Sequence, residues 1–299
     1  MLKCHCGGNK GSYRSNFYSS RGKSRQDLNR FFKKEFLPRK MKTIVFTVLV
    51  FLSTFGRGED PLIFVHIPKT AGTSFWHLLQ EKFSKEDTPY SDAYSRRTPP
   101  GLYYYDLDDK PPDWFARYKL IWGHIFYSQV KNIPARKITF LRDPVKRVLS
   151  EHRYWLKYFV YRNVSQDIFC KGHFLPPGDP LYTMNNHQCL FLSGLDPRDP
   201  TIPIEKHLKS ACTNLRKSFF FVGITEELQV AIYRLYEMMG WEKPTSRPRG
   251  ESTTDIVEEY SKDLLADIAR RNWADIELYK FAQKLFHKKF LITKKRSTS

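Results

Sequence analysis

Three short apolar runs, each leading into a segment with helically spaced apolar residues, restrict this chain more than anything else in it. Leu62-Ile63-Phe64-Val65-His66-Ile67 reads as a buried strand. Directly after it, Phe75, Leu78, Leu79 and Phe83 place one apolar stripe on residues 73–84, so the chain turns from strand to helix through Pro68-Lys69-Thr70-Ala71-Gly72. Lys137-Ile138-Thr139-Phe140-Leu141 repeats the pattern, with Asp143 set to cap a helix and Pro144 at its first position. Val145, Val148, Leu149, Trp155, Leu156 and Phe159 share one face of that helix. Residues 219–224 predict a third strand, 226–239 a third helix, and 260–287 one last long helix. Strands that are apolar throughout are covered on both faces. The expected class is therefore α/β, a central parallel sheet with flanking helices and a P-loop-like strand–loop–helix turn after its first strand. No internal repeat interrupts it.

The front of the chain is different in kind. Residues 1–42 hold 12 basic and 2 acidic side chains and no sustained apolar period, which predicts a disordered basic leader. Thr43 to Phe55 is uncharged and ends at Gly56-Arg57-Gly58. It is shorter than the roughly 20 residues that span a bilayer comfortably, and it suits a signal peptide cleaved after Gly56, with Met41 as the working start. Left uncleaved, residues 43–55 form a signal anchor and membrane contact with the body lumenal, as in a single-pass type II protein. Either way residues 59–299 form the working domain and enter the secretory pathway, in the Golgi lumen or beyond it, and the Asn163-Val164-Ser165 sequon agrees with that route. Cys4 and Cys6 have no second ligand pair at finger spacing, and no histidine–carboxylate cluster has metal spacing, so no metal is expected. Cys170, Cys189 and Cys212 leave room for one disulfide.

The chain carries 50 basic against 31 acidic side chains, a net +19, which favours an anionic partner without choosing among nucleic acid, acidic glycan and nucleotide phosphate. Interleaved aromatics and arginines in the leader (Tyr13, Phe17, Tyr18) fit nucleic acid, but no readout motif appears and a secretory signal places the protein in the wrong compartment. The turn at 68–74 is more informative. A strand that ends where a helix begins presents unpaired backbone N–H groups and the positive end of the helix dipole to an anion. Gly72 removes a side chain there, Thr70, Thr73 and Ser74 add hydroxyls, and Lys69 adds a cation. The spacing is not that of a Walker A loop, because the lysine precedes the glycine. A phosphotransferase would also need a magnesium carboxylate.

His66-Ile67-Pro68-Lys69-Thr70-Ala71-Gly72-Thr73-Ser74-Phe75 resembles the 5′-phosphosulfate-binding loop of the Golgi carbohydrate sulfotransferases. Phe140-Leu141-Arg142-Asp143-Pro144-Val145-Lys146-Arg147-Val148-Leu149-Ser150 is similar to that family's 3′-phosphate-binding segment, and Arg142 and Ser150 stand at its binding arginine and serine. Fainter echoes at 188–194 and 222–228 extend the likeness over the body. The resemblance implies 3′-phosphoadenosine 5′-phosphosulfate as sulfuryl donor, held by Lys69, Thr70, Ala71, Gly72, Thr73, Ser74, Arg142 and Ser150, with Arg249 of the 247–254 loop as a further contact. Trp122-Gly123-His124-Ile125-Phe126 resembles the Gly-His segment of the uronyl 2-O-sulfotransferases of heparan and dermatan/chondroitin, with the 6-O branch next. Those 2-O enzymes carry a second histidine before the glycine, where this chain has Trp122.

The expected chemistry is in-line sulfuryl transfer to a hydroxyl of a glycosaminoglycan. His124 serves as base and Lys69 steadies the leaving phosphate oxygen. An imidazole near its ordinary pKa of about 6.5 can both take and release the proton. His66, His152 and His187 are rival bases, His152 with a structural fate as the simpler reading. Arg96, Arg97, Arg153 and Arg162 are candidates to line an acidic-glycan cleft. A catalytically inactive glycan-binding relative would keep the nucleotide motifs and differ at His124.

Overall fold

A computed structural model describes residues 60–89, 102, 107–158, 165–170, 184–247 and 259–291. The basic leader, the apolar segment at 43–55, the sequon at Asn163, and Arg96, Arg97, Phe159, Arg162 and Arg249 lie outside the described residues. Among the described residues no helix is long and apolar enough to cross a membrane.

The strands are β1 (Leu62–Val65), β2 (Leu120–Gly123), β3 (Arg136–Leu141) and β4 (Phe221–Ile224). They form one parallel sheet in the order β2-β1-β3-β4, with Leu62 opposite both Leu120 and Arg136, and Leu141 opposite Ile224. Every residue of β1, β2 and β4 is buried, as expected of strands covered on both faces. Gly123 has a φ of +149°, and a Cβ there would stand 2.0 Å from the Leu102 carbonyl oxygen, so the crossing at Leu102 requires glycine.

The helices α1 (Gly72–Leu79), α2 (Pro112–Phe115), α3 (Tyr127–Val130), α4 (Pro144–Tyr158), α5 (Gln166–Cys170), α6 (His187–Leu192), α7 (Ile204–Lys217), α8 (Leu228–Met239), α9 (Lys262–Arg271) and α10 (Trp273–Leu285) complete the domain. Phe64, Phe75, Phe140 and Phe221 meet in the main core at ring spacings of 5.1–6.0 Å. On α4 the expected stripe buries Val148, and Val145, Leu149 and Trp155 pack with it on a smaller cluster built from Phe169, Met184, Leu264 and Ile268. Asp143 caps α4 as its sequence predicts, its Oδ1 accepting the Lys146 N–H at 2.9 Å.

The long helix expected over 260–287 is two helices. Asn272 leaves helical geometry at φ −104°, ψ 27°, and its Nδ2 donates back to the Ile268 carbonyl. The new helix is capped from a distant segment: Asn186 Oδ1 accepts the N–H groups of Ala274 and Asp275 at 3.0 and 3.2 Å, and Asn186 Nδ2 donates to the Arg271 carbonyl. Asn186 itself sits at φ +51°, which asparagine tolerates better than other residues with a Cβ. We expect Asn186→Ala to cost about 2 kcal/mol, through lost capping and backbone strain. That lowers Tm by about 4–8 °C in a domain of this size, read by calorimetry; an unchanged Tm would refute the capping role.

Candidate active site

All four strands run the same way, so the residues that follow them gather at one edge of the sheet. From the centre of the sheet the chain leaves β1 toward β2 on one side and leaves β3 toward β4 on the other. The crevice opened by that reversal lies beyond the carboxyl ends of β1 and β3, the place where open α/β sheets bind ligands. The Pro68–Ala71 loop enters it from β1 and Arg142 from β3. Arg142 Nη1 donates to the Lys69 carbonyl at 3.1 Å, and Thr139 Oγ1 donates to the Val65 carbonyl at 2.8 Å, so two cross-strand bonds fix the crevice walls.

The loop is bent by local geometry. Lys69 and Ala71 both have left-handed φ, 67° and 68°, and Thr70 Oγ1 and N both donate to the Ile67 carbonyl. Alternation of this kind turns successive backbone N–H groups toward one side, the shape that cradles anionic oxygens. Ala71, at the N-cap of α1, brings only a methyl group and caps nothing. The Lys69 ammonium lies 4.2 Å from the ring centroid of Tyr154 on α4, a cation–π contact. Burial lowers the Arg142 pKa, as expected of a guanidinium held in a partly dry wall.

His124 follows β2, its N–H donating to the Leu102 carbonyl at 2.9 Å. The ring is half-buried. Its pKa is lowered to about 4, first by burial and then by Lys69. The expectation of an imidazole near its ordinary value is corrected here: in this site the neutral form prevails over a wider range. A second imidazole lies beside it, His66 at 4.9 Å between ring centroids. Trp122, which stands where a second histidine was looked for, stacks on Trp76 at 4.3 Å and is core. Gly72 has a further reason beside the one its sequence suggests. A Cβ there would fall 1.9 Å from His66 Nε2, so the space is taken by the His66 ring.

Arg142 is held from behind. The buried Gln188 side chain accepts the Arg142 N–H at 3.0 Å and donates to its carbonyl at 2.9 Å, pairing with it as another strand would. Gln188 and Cys189 in turn donate their N–H groups to the two oxygens of Asp275, at 2.9 and 2.8 Å. Ser150 is buried on α4. Of the rival bases, His152 is paired with Tyr260 at 2.8 Å and packed on Phe169, and His187 stacks on Phe191 at 4.8 Å, so both are structural. Among the described residues no group of three His, Cys, Asp or Glu side chains is placed to hold a metal ion. Cys189 and Cys212 are thiols. Tyr154 and the clamp made by Gln188 were not assigned from sequence; the signal for Gln188 was its place in the faint echo at 188–194.

The pattern described as the sulfotransferase family matches residues 53–282 of this chain. The chain belongs to the sulfotransferase family. Among curated relatives, heparan-sulfate 6-O-sulfotransferase 3-B of Danio rerio is 25% identical across 80% of this sulfotransferase and 67% of the relative. Heparan-sulfate 6-O-sulfotransferase 2 of the same species is 27% identical across 78% of this chain and 59% of the relative. Heparan-sulfate 6-O-sulfotransferase 1 of Cricetulus griseus is 25% identical across 78% and 69%. A sulfotransferase from Alicyclobacillus acidocaldarius is a solved structural neighbour at a TM-score of 0.41 and 14% identity, over 75% of this chain and 95% of that one.

Two substitutions probe the crevice of this sulfotransferase. Gly72→Ala forces the His66 ring and the loop apart, and is expected to destabilise by about 1–3 kcal/mol and to weaken binding of 3′-phosphoadenosine 5′-phosphate at least about tenfold, 1.4 kcal/mol. Wild-type affinity by titration calorimetry would show that the loop tolerates the displacement. Gln188→Ala leaves a buried N–H and carbonyl of Arg142 without partners, at about 1–3 kcal/mol each. A lower Tm together with weaker nucleotide binding is the expected pair of results; a lower Tm alone would separate the clamp from the site.

Proposed function

We propose that this chain transfers the sulfuryl group of 3′-phosphoadenosine 5′-phosphosulfate to a hydroxyl of a glycosaminoglycan of the heparan class. The carrying observation is the convergence of a neutral imidazole, a lysine and a partly desolvated arginine on one crevice at the strand ends. The donor suits the residues present. The left-handed turn at Lys69 and Ala71 and the uncapped start of α1 offer backbone donors for the 5′-phosphosulfate, with Thr70, Thr73 and Ser74 beside them. Arg142 and Ser150 are assigned to the 3′-phosphate. Arg249 is assigned to the nucleotide by resemblance.

In the reaction the acceptor oxygen forms a bond to sulfur while the bond from sulfur to the bridging phosphate oxygen breaks, and the hydroxyl proton passes to His124. Lys69 meets the charge that grows on the leaving oxygen, an attraction stronger in the transition state than before it. To do so its ammonium must leave the Tyr154 ring, a contact worth about 0.5–2 kcal/mol. The relatives named above are 6-O enzymes, and Trp122 is core where the 2-O pattern has an imidazole. Both support a 6-hydroxyl acceptor over the uronyl 2-hydroxyl that the Gly-His segment first suggested. An acidic glycan as partner and a Golgi or secretory location belong to the same reading.

The test is transfer of radiolabelled sulfate by the full chain to 6-O-desulfated heparan, 2-O-desulfated heparan, chondroitin and dermatan. Label on the 6-O-desulfated chain, reduced by about 100-fold or more in His124→Ala, is the expected result; transfer unaffected by that substitution removes His124 as base. The pH dependence has a definite sign. The lowered pKa keeps His124 competent down to about 4 in the free enzyme. A bound anionic donor offsets Lys69 and favours the imidazolium, raising that value. The acid limb of kcat is therefore expected above that of kcat/KM for the donor, and coincident limbs would contradict the electrostatic account.

A further inference from the structure

His66 has no role in the step above, yet its ring joins three parts of the site. It is 6% exposed, stacks on Phe64 of β1 at 5.2 Å, occupies the space above Gly72, and meets His124 at 4.9 Å with a tilt of 48°. Its Nδ1 is buried and has no hydrogen-bond partner. Buried polar atoms left unpaired are rare in folded proteins and call for a reason. Packing alone supplies none, since a phenylalanine would fill the same space without the stranded nitrogen.

We propose that His66 is a positioning residue for His124: its unprotonated Nδ1 accepts the N–H of the His124 nitrogen turned away from the acceptor, leaving the other nitrogen to take the hydroxyl proton. Two imidazoles joined in this way have centroids about 5 Å apart, from an N···N distance of about 2.9 Å and about 1.1 Å within each ring. The observed spacing of 4.9 Å matches, so a turn of the rings in place completes the bond. The partner bond selects the His124 tautomer, and it becomes charge-assisted once His124 holds the proton. His66 neither gains nor loses a proton in the cycle. The titratable groups that act on it are His124, beyond β2, and Lys69, in the loop; α1 presents Gly72 and β1 presents Phe64, neither of which titrates. Burial, then His124, then Lys69 hold the His66 pKa well below the usual imidazole value, which keeps it an acceptor.

The inference rests on His124 being the base, and its test reads the two apart. In the full chain, His66→Phe keeps a ring over Gly72 without a nitrogen, and His66→Asn returns an acceptor close to the Nδ1 position. Ring-nitrogen chemical shifts of His124, nucleotide affinity measured with 3′-phosphoadenosine 5′-phosphate, and the pH profile of kcat are compared. We expect His66→Phe to bind the nucleotide as wild type does, to lose about 10–100-fold in kcat, to shift the acid limb, and to show mixed His124 tautomers. His66→Asn is expected to recover a single tautomer and most of the rate. Wild-type kcat and one tautomer in His66→Phe would overturn the proposal, as would equal losses in both variants. If His66→Phe does not fold, the wild-type ring shifts and His66→Asn decide alone. If the wild type transfers no sulfate, the reading of the reaction fails, whereas a mixed His124 tautomer in wild type defeats the His66 bond itself.

Discussion

The hydrogen-bonded pairing of β1 with β3 decides what the rest of the molecule can do, because the chain leaves these two neighbours in opposite directions. Loops that part in this way cannot fill the space between them with their own backbone. That space is left open at the carboxyl ends, and the residues just past each strand face it whether or not they are near in sequence. Lys69 and Arg142, 73 positions apart, become hydrogen-bonded neighbours for this reason. The two bonds that join the walls, from Thr139 to Val65 and from Arg142 to Lys69, convert a sheet edge into a preorganised binding surface. Gln188 and Asp275 then hold Arg142 from the far side, in a chain of buried bonds whose failure would leave several polar groups unpaired at once.

The electrostatics of the site follow from the same compactness. Lys69, Arg142, His66 and His124 bring potential positive charge into a partly dry crevice. Burial and Lys69 respond by keeping both rings neutral. A site of this kind is complementary to an anionic nucleotide, whose charge stabilises the lysine and arginine and makes the imidazole a stronger base as binding occurs. In the proposed reaction, donor binding and base strength are linked through Lys69.

The parts of this structure that were legible in the sequence are those set by neighbours along the chain. The strands at 62–67 and 137–141, the Asp143 cap and the α4 stripe each depend on residues within a turn or two, and so does the place of the turn into α1, though not its left-handed geometry at Lys69 and Ala71. That Lys69 and Arg142 would share an edge followed from the parallel sheet alone. What was illegible depends on distant partners. The break at Asn272 is enforced by Asn186, which lies 86 positions earlier. α7 is an exception: no helix was expected there, although Ile204, Leu208, Ala211 and Leu215 stand at helical spacing along it, a local signal that was there to be read. The His66 ring that takes the Cβ space of Gly72 is a contact that local spacing does not display. The pairing of His66 with His124 needed the β1–β2 register, and β2 shows in sequence only as the short run ending at Gly123.

The account turns on the crevice between β1 and β3 being a site for a nucleotide with phosphates at both ends of its ribose. The most direct measurement is titration calorimetry of 3′-phosphoadenosine 5′-phosphate against adenosine 5′-phosphate, on the full chain and on Arg142→Ala. The account predicts one site per chain, a preference of at least about 100-fold (2.7 kcal/mol) for the 3′-phosphorylated nucleotide, and loss of most of that preference in Arg142→Ala. Equal affinity for the two nucleotides, or a preference that survives removal of the arginine, would contradict it.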